Sequence, residues 1–429
     1  MPGRLNIFQR TMLLWNELHP YHAVHVVRVS APLELARLTD VVNRTLAALG
    51  LATVTLDSER GRYRFEGVAA RYEVKPVQAG PEPHGALAIE AACQLNTRFA
   101  PDRNFKPFRF FAARDRDSFF LGLVYFHALA DGESVIHFLK CVVEAYLGRA
   151  DPAGFELCPG SHDAILFRDP GLFVRKVTAM VSQLRTLRRA RRVPCRNPED
   201  TANAVVFFSL SPEELHSLIQ AGKTWEVTLN DLFLALLLQA LAQQWPQTSP
   251  ASRRSKLAVG CIVNLRRELG LAGRRLFGLF LGSFVVTCQP RPEIPLAELA
   301  REVRRQTVRI KANRLPVGTP LELRFARMLL RLFSLERRRK FYQKNYPLWG
   351  GLTNMNLDSI WPANTGEPPV EYLRAVSTGP ATPLVLSITT AGGGVTVGLS
   401  YRTACFSAAA VEQVKGCFLE SVRGLPYPA

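Results

Sequence analysis

His127-Ala128-Leu129-Ala130-Asp131-Gly132 brings together the residue types best suited to chemistry in this 429-residue chain. An unperturbed imidazole has a pKa of about 6.5, so near pH 7 most of it is neutral and ready to accept a proton. Asp131 can hold a tight turn by bonding its backbone or a nearby cation, and Gly132 is expected to permit a positive φ. The bland alternative is a buried histidine beside an ordinary Asp-Gly turn. Position argues against it. Residues 119–126 are almost all apolar, many aromatic or branched, as in a strand buried on both faces. From Gly132 onward the period turns helical, with Val135, Leu139, Val142 and Val143 on one side up to Leu147. A rigid strand end thus delivers the imidazole to a turn that a helix closes.

The segment resembles the His-His-x-x-x-Asp-Gly motif of the chloramphenicol-acetyltransferase-like superfamily, which includes condensation domains of peptide synthetases, polyketide-associated acyltransferases and plant acyltransferases. Phe126 stands where the motif has its first histidine. His127 matches the second, which in the superfamily is generally the catalytic one. Val263-Asn264-Leu265-Arg266 resembles an Asn-Leu-Arg element whose arginine commonly pairs with the motif aspartate, which makes Arg266 the expected partner of Asp131. Residues 350–357 resemble a late, small-residue and Asn-rich strand, although the usual terminal Gly is absent. The Asp-Phe-Gly-Trp-Gly element of the plant enzymes is absent too, which argues against that branch.

The resemblance implies an α/β fold of two similar lobes, each a mixed and largely antiparallel sheet with helices, meeting at an active-site tunnel. The expected division is an N-terminal lobe at 1–160, a basic crossover at 161–200 and a C-terminal lobe at 201–429. An acyl thioester would enter from one side and an alcohol or amine from the other. His127 would take the acceptor's proton as it attacks the thioester carbonyl, with no covalent acyl-enzyme, no metal and no bound cofactor. The co-substrate would be an acyl-coenzyme A or an acyl-carrier-protein thioester. The tetrahedral oxyanion needs a donor, for which Asn354, Ser387 and Thr389 are candidates. The expected activity is ester or amide formation in secondary or lipid metabolism. The alternative is a catalytically inactive condensation-like module that holds a carrier protein.

Patterning elsewhere fits alternating helices and strands. Strands are expected at 24–30, 204–210, 256–264 and 282–289, hairpins at 53–66 and 383–401, and helices at 32–50, 86–99, 230–244, 296–313, 321–341 and 407–424. Ser211 and Glu214 make a capping box for a helix at 211–221. In the helix at 321–341, Leu321, Phe325, Met328, Leu332 and Leu335 form a stripe expected to pack on the core, with a membrane or acyl-chain contact as the rival reading. Residues 165–196 also show helical spacing, and eight of them are Arg or Lys without an intervening acid between Arg175 and Arg196. Such a segment could bridge two lobes or lie on a membrane, and the bridge is favoured.

The formal charge of +18 predicts attraction to anionic partners: a nucleotide-bearing thioester, an acidic carrier protein or an anionic membrane surface. Nucleic acid is not expected, because charge alone supports it and no recognised module is present. Eight cysteines without a Cys-x-x-Cys pair are expected to be reduced thiols of a cytoplasmic protein. The first residues lack the apolar core of a secretory signal, and no apolar run has membrane-spanning length. Gly222-Lys223-Thr224 fails as a phosphate loop because Ser217 stands where its first Gly should be. His19, His22 and His25 have no nearby thiol or carboxylate to complete a zinc set.

Overall fold

The computed structural model describes residues 2–67, 70–80, 82–101, 104–149, 156–157, 169–244, 254–291, 293–362, 370–379 and 381–425. Two sheets dominate, one in each lobe. In chain order the first lobe supplies β1 (Pro2–Arg4), α1 (Ile7–Leu18), β2 (His22–Val29), α2 (Leu35–Ala48), β3 (Thr53–Asp57), β4 (Arg62–Glu66), β5 (Val74–Val77), α3 (Pro83–Asn96), β6 (Phe108–Asp115), β7 (Ser118–Phe126) and α4 (Gly132–Tyr146). After the short β8 (Glu156–Leu157) comes α5 (Pro170–Arg188). The second lobe follows with β9 (Asn203–Leu210), α6 (Pro212–Trp225), α7 (Leu229–Gln243), β10 (Leu257–Asn264), β11 (Leu276–Phe277), β12 (Leu281–Cys288) and α8 (Leu296–Ala312). The chain ends with a 3₁₀ turn (Leu315–Gly318), α9 (Thr319–Arg331), α10 (Leu335–Asn345), β13 (Gly350–Asn356), β14 (Tyr372–Val376), β15 (Leu384–Ala391), β16 (Gly394–Arg402) and α11 (Ala408–Arg423).

The first large sheet has the order β14-β2-β7-β6-β5 and the second the order β12-β10-β13-β15-β16-β9. In the first, only the β5–β6 pair is parallel. The second mixes two parallel pairs on β13 with three antiparallel ones. Central β7 is apolar on both faces and buried on both, as its sequence requires. Helix α7 is buried along nearly its whole length, and the capping boxes at Ser211/Glu214 and Thr228/Asp231 fix where α6 and α7 begin. Among the described residues no single helix is long and apolar enough to cross a membrane, and the seven cysteines there are free thiols.

Three features depart from the sequence reading. Helix α1, started by an Asn6/Gln9 capping box, was not anticipated. The single helix expected at 321–341 is two, because Ser334 accepts from the Arg337 amide and starts α10 afresh. Its stripe also does not all pack inward: Leu321 is buried, but Phe325, Met328 and Leu332 are exposed.

The third departure is β14. It lies in the second half of the chain but forms the edge of the first sheet, Arg374 opposite His25, so the lobes are not separated by one cut in sequence. Its backbone then has to pass close to the second sheet. Gly398 on β16 leaves room for it: a Cβ there would stand 1.8 Å from the Arg374 carbonyl oxygen. Gly398→Ala should therefore force the lobes apart and destabilise the protein by about 3 kcal/mol or more, the upper end of ordinary overpacking costs. Denaturant unfolding measures this, and an alanine variant as stable as the parent would show that β14 shifts without cost.

Candidate active site between the lobes

Strand β7 ends at Phe126, and its alternation sends Tyr125 and His127 to one face and Phe126 to the other. Tyr125 and His127 line a cavity of about 220 Å³ walled by both lobes. From the first lobe come Tyr21, His25 and Arg374; from the second, Ser283, Thr353 and Ser387. Phe126 instead packs with His22, Phe99 and Phe105 in the first core. The position of the motif's first histidine thus faces away from the cavity. His22, opposite Phe126 on β2, brings an imidazole to the same place. Neither of its ring nitrogens has a hydrogen-bond partner among the described residues, and burial, followed by the charge of Arg109, pushes its pKa down to about 3.

The His127 ring is held from three sides. Its Nδ1 lies 3.1 Å from the Ala130 carbonyl within its own turn, Tyr21 stacks on it at 5.7 Å, and Tyr125 meets it edge-on at 5.4 Å. A carbonyl only accepts, so Nδ1 carries the proton and Nε2 keeps its lone pair. Burial lowers the imidazole pKa below its ordinary value, outweighing the opposite pull of the Ala130 carbonyl and the Asp131 charge. The neutral form is favoured.

Asp131 caps α4 and points away from the imidazole. Its Oδ1 accepts from the Ser134 amide at 3.0 Å and the Ser134 hydroxyl at 2.8 Å, and its Oδ2 accepts from the Phe280 amide at 3.0 Å. Arg266, just beyond β10 in the other lobe, donates Nη1 to Oδ2 at 2.7 Å and Nη2 to Oδ1 at 3.0 Å, a two-pronged pair with both side chains buried. Burial would raise the Asp131 pKa, but the charge and hydrogen bonds of Arg266, with the amides of Ser134 and Phe280, hold it below the ordinary carboxylate value.

Gly132 does not have the positive φ expected of it. Its lack of a side chain matters for space instead, since a Cβ would stand 2.8 Å from Met355 Cε and 3.4 Å from the His25 ring. The three expected oxyanion donors separate. Ser387 lines the cavity with His127. Thr389, two residues along β15, accepts a hydrogen bond from Arg374 Nε at 2.8 Å. Asn354 is not among the lining residues, although Thr353 and Met355 on either side of it are, because β13 alternates.

Arg374 was missed by sequence reading. It reaches from β14 to Thr389 and to the carbonyls of Ile388 and Thr353 in the second sheet. Burial pushes its pKa down to about 10, and no carboxylate pairs with it among the described residues. Nothing around Arg374 in sequence distinguishes it from the chain's many surface arginines. His25, whose Nδ1 lies 2.7 Å from the Tyr372 hydroxyl, carries no signal in sequence beyond its spacing from His19 and His22. His19, His22 and His25 go to three separate environments: Arg402, the first core and the cavity.

Sequence comparison finds no match to any family model and none to a curated protein. Structure comparison finds the two-lobed chloramphenicol-acetyltransferase-like fold of condensation domains. The first condensation domain of the calcium-dependent antibiotic synthetase, solved with a substrate analogue, superposes with a TM-score of 0.71 at 17% identity, covering 100% of this chain and 98% of that one. The cyclization-docking bidomain of EpoB from Sorangium cellulosum gives 0.68 at 13% identity, with coverage of 100% and 86%. The epimerization domain of the third module of tyrocidine synthetase B gives 0.63 at 11% identity, with coverage of 99% and 97%.

The geometry around Asp131 carries a test. Asp131→Asn and Arg266→Ala should each cost about 3–5 kcal/mol, as for a buried pair broken on one side. Their double variant should cost much less than the sum. Because the folded carboxyl pKa is depressed, the parent keeps this contribution above the unfolded value of about 3.9 and loses it as pH falls through the lower folded value. Asp131→Asn should lack that acid-dependent loss. Denaturant titrations at several pH values check both, and additive single costs would show that the carboxylate's other bonds hold the turn without Arg266.

Proposed function

We propose that this protein is an acyltransferase that moves an acyl group from a thioester of coenzyme A or an acyl carrier protein to a hydroxyl or amine, with His127 as general base. The observation that carries the reading is the imidazole itself: buried, neutral, fixed in the tautomer with Nε2 unprotonated, and placed on the wall of a cavity shared by two lobes. The similar structures are condensation, cyclization and epimerization domains of synthetases, which supports acyl or peptidyl transfer in natural-product or lipid biosynthesis.

The acceptor's proton passes to Nε2 as its oxygen or nitrogen attacks the thioester carbonyl. The carbonyl π electrons move to oxygen, and collapse expels the thiolate, which takes the proton from the imidazolium. Ser387 is the remaining candidate to donate to the oxyanion, since neither Thr389 nor Asn354 lines the cavity. One general base contributes about 10²–10⁴-fold. Holding two substrates in one cavity supplies more, up to roughly 7–11 kcal/mol in ideal intramolecular cases. Arg374 and Asp131 then act by keeping the walls of that cavity in place.

His127→Ala should reduce thioester consumption in the presence of acceptor by about 10²–10⁴-fold without loss of folded structure. In the parent, kcat/KM should fall only as pH drops through the depressed imidazole pKa, so its acid limb lies below pH ~6.5. Asp131 raises that pKa, and Asp131→Asn should move the limb lower still. Near-parental turnover by folded His127→Ala would remove the catalytic assignment and favour a carrier-binding module.

A further inference from the structure

Eleven large apolar side chains are exposed among the described residues; seven of them lie on α5 and α9, and an eighth, Leu332, is the residue that caps the C-terminus of α9. They are not scattered. On α5, Phe173, Val181 and Leu184 recur at helical spacing with Val174 beside them; on α9, Phe325, Met328, Leu329 and Leu332 do the same at i, i+3, i+4 and i+7. Each helix therefore turns one apolar stripe to the core and a second to solvent. Leu332 is 77% exposed and Val174 63%, values that no solvated face requires. The two helices touch: Lys176 of α5 pairs with Glu322 of α9 at 2.7 Å in a largely buried contact, and Leu172 and Leu321 share a small core.

Charge surrounds these stripes. No acid falls between Gly171 and Arg196, Arg185 and Arg188 close the last turn of α5, and Arg331 closes α9. Exposed apolar residues beside arginines, on helices lying flat against a body, match the chemistry of an anionic bilayer surface. Apolar groups enter the acyl boundary and long basic side chains reach phosphate. The same helices line the cavity: Gln183 from α5, Leu323 and Ala326 from α9. An alkyl chain leaving a bilayer at this face would exchange one apolar contact for the next on its way to His127. A carrier protein delivers its acyl group on a tether and needs no such ramp.

We infer that the α5–α9 face is a docking surface for anionic lipid membrane, through which a long-chain amphiphile reaches the cavity as acyl donor or acceptor. The inference rests on the acyl-transfer reading only for what the amphiphile does; binding to the surface stands apart from it. The test is sedimentation of the full chain with vesicles of phosphatidylcholine alone or mixed with phosphatidylglycerol. The parent should sediment with the anionic vesicles and be released by rising salt. Phe325→Ser/Met328→Ser/Leu332→Ser should weaken partitioning by at least about tenfold. Val174→Ser/Val181→Ser/Leu184→Ser, a second set on the other helix, should do the same if the first misfolds; thermal melts establish which sets fold. Neither set should change turnover of a short-chain, water-soluble thioester, and His127→Ala should still sediment even if catalysis is lost. A parent that stays in solution with anionic vesicles at low salt, or folded serine variants that sediment like it, would overturn the proposal. So would capture of an acidic carrier protein through these residues with vesicles ignored.

Discussion

A buried carboxylate-guanidinium pair holds this molecule's geometry. Asp131 and Arg266 come from different lobes, and burying either charge alone would cost several kcal/mol. Together they leave few charged atoms unsatisfied: Asp131 also accepts from Ser134 and Phe280, and Arg266 also donates to Ser134 Oγ and the Leu276 carbonyl while its guanidinium lies 4.4 Å over the Phe280 ring. This satisfaction depends on the lobes being in one relative position. A small displacement would break four or five bonds at once, so the pair acts as a gauge for the width of the cavity.

The imidazole inherits its direction from that gauge. Asp131 is the N-cap of α4, and the turn it fixes contains Ala130, whose carbonyl orients His127. Electrostatics alone would bring a carboxylate to the imidazole to stabilise its charged form; here the carboxylate is directed to the opposite lobe, and a neutral carbonyl accepts the hydrogen bond from Nδ1–H. The result is an imidazole biased toward neutrality. Arg374 makes the second crossing between lobes, on the far side of His25, with carbonyls and a hydroxyl as partners. Two buried arginines thus tie the lobes together beside one cavity, Arg266 paired with a carboxylate and Arg374 with none among the described residues.

The strand, the turn and the helix around His127 were readable because each has its own local signal: an apolar run, an Asp-Gly pair and a 3.6-residue stripe. The pairing of Asp131 with Arg266 followed from resemblance, since no local property of Asn264-Leu265-Arg266 specifies a partner 135 residues away. Gly132 was recognised as special for the wrong reason, because a steric demand from Met355 leaves no trace in neighbouring sequence. Among the oxyanion candidates, period-2 alternation already separates Asn354 from Thr353 and Met355, but which face meets the cavity is a tertiary fact. The α9 stripe was legible as a stripe. Whether it faces a core or solvent was not, because amphipathic periodicity is blind to what lies opposite.

The return of β14 to the first sheet has a consequence for how the chain is made. Strand β2, mostly apolar and buried in the finished fold except at Arg28, is an open sheet edge until Tyr372–Val376 is available to cover it. About 340 residues separate the two strands, which at synthesis rates of about 5–20 residues per second leaves roughly 20–70 s of exposure. A nascent first lobe would spend that interval one strand short, with its most adhesive backbone uncovered. Folding of the two lobes is therefore coupled late in synthesis, and the period before that coupling is when a chaperone would have most to protect.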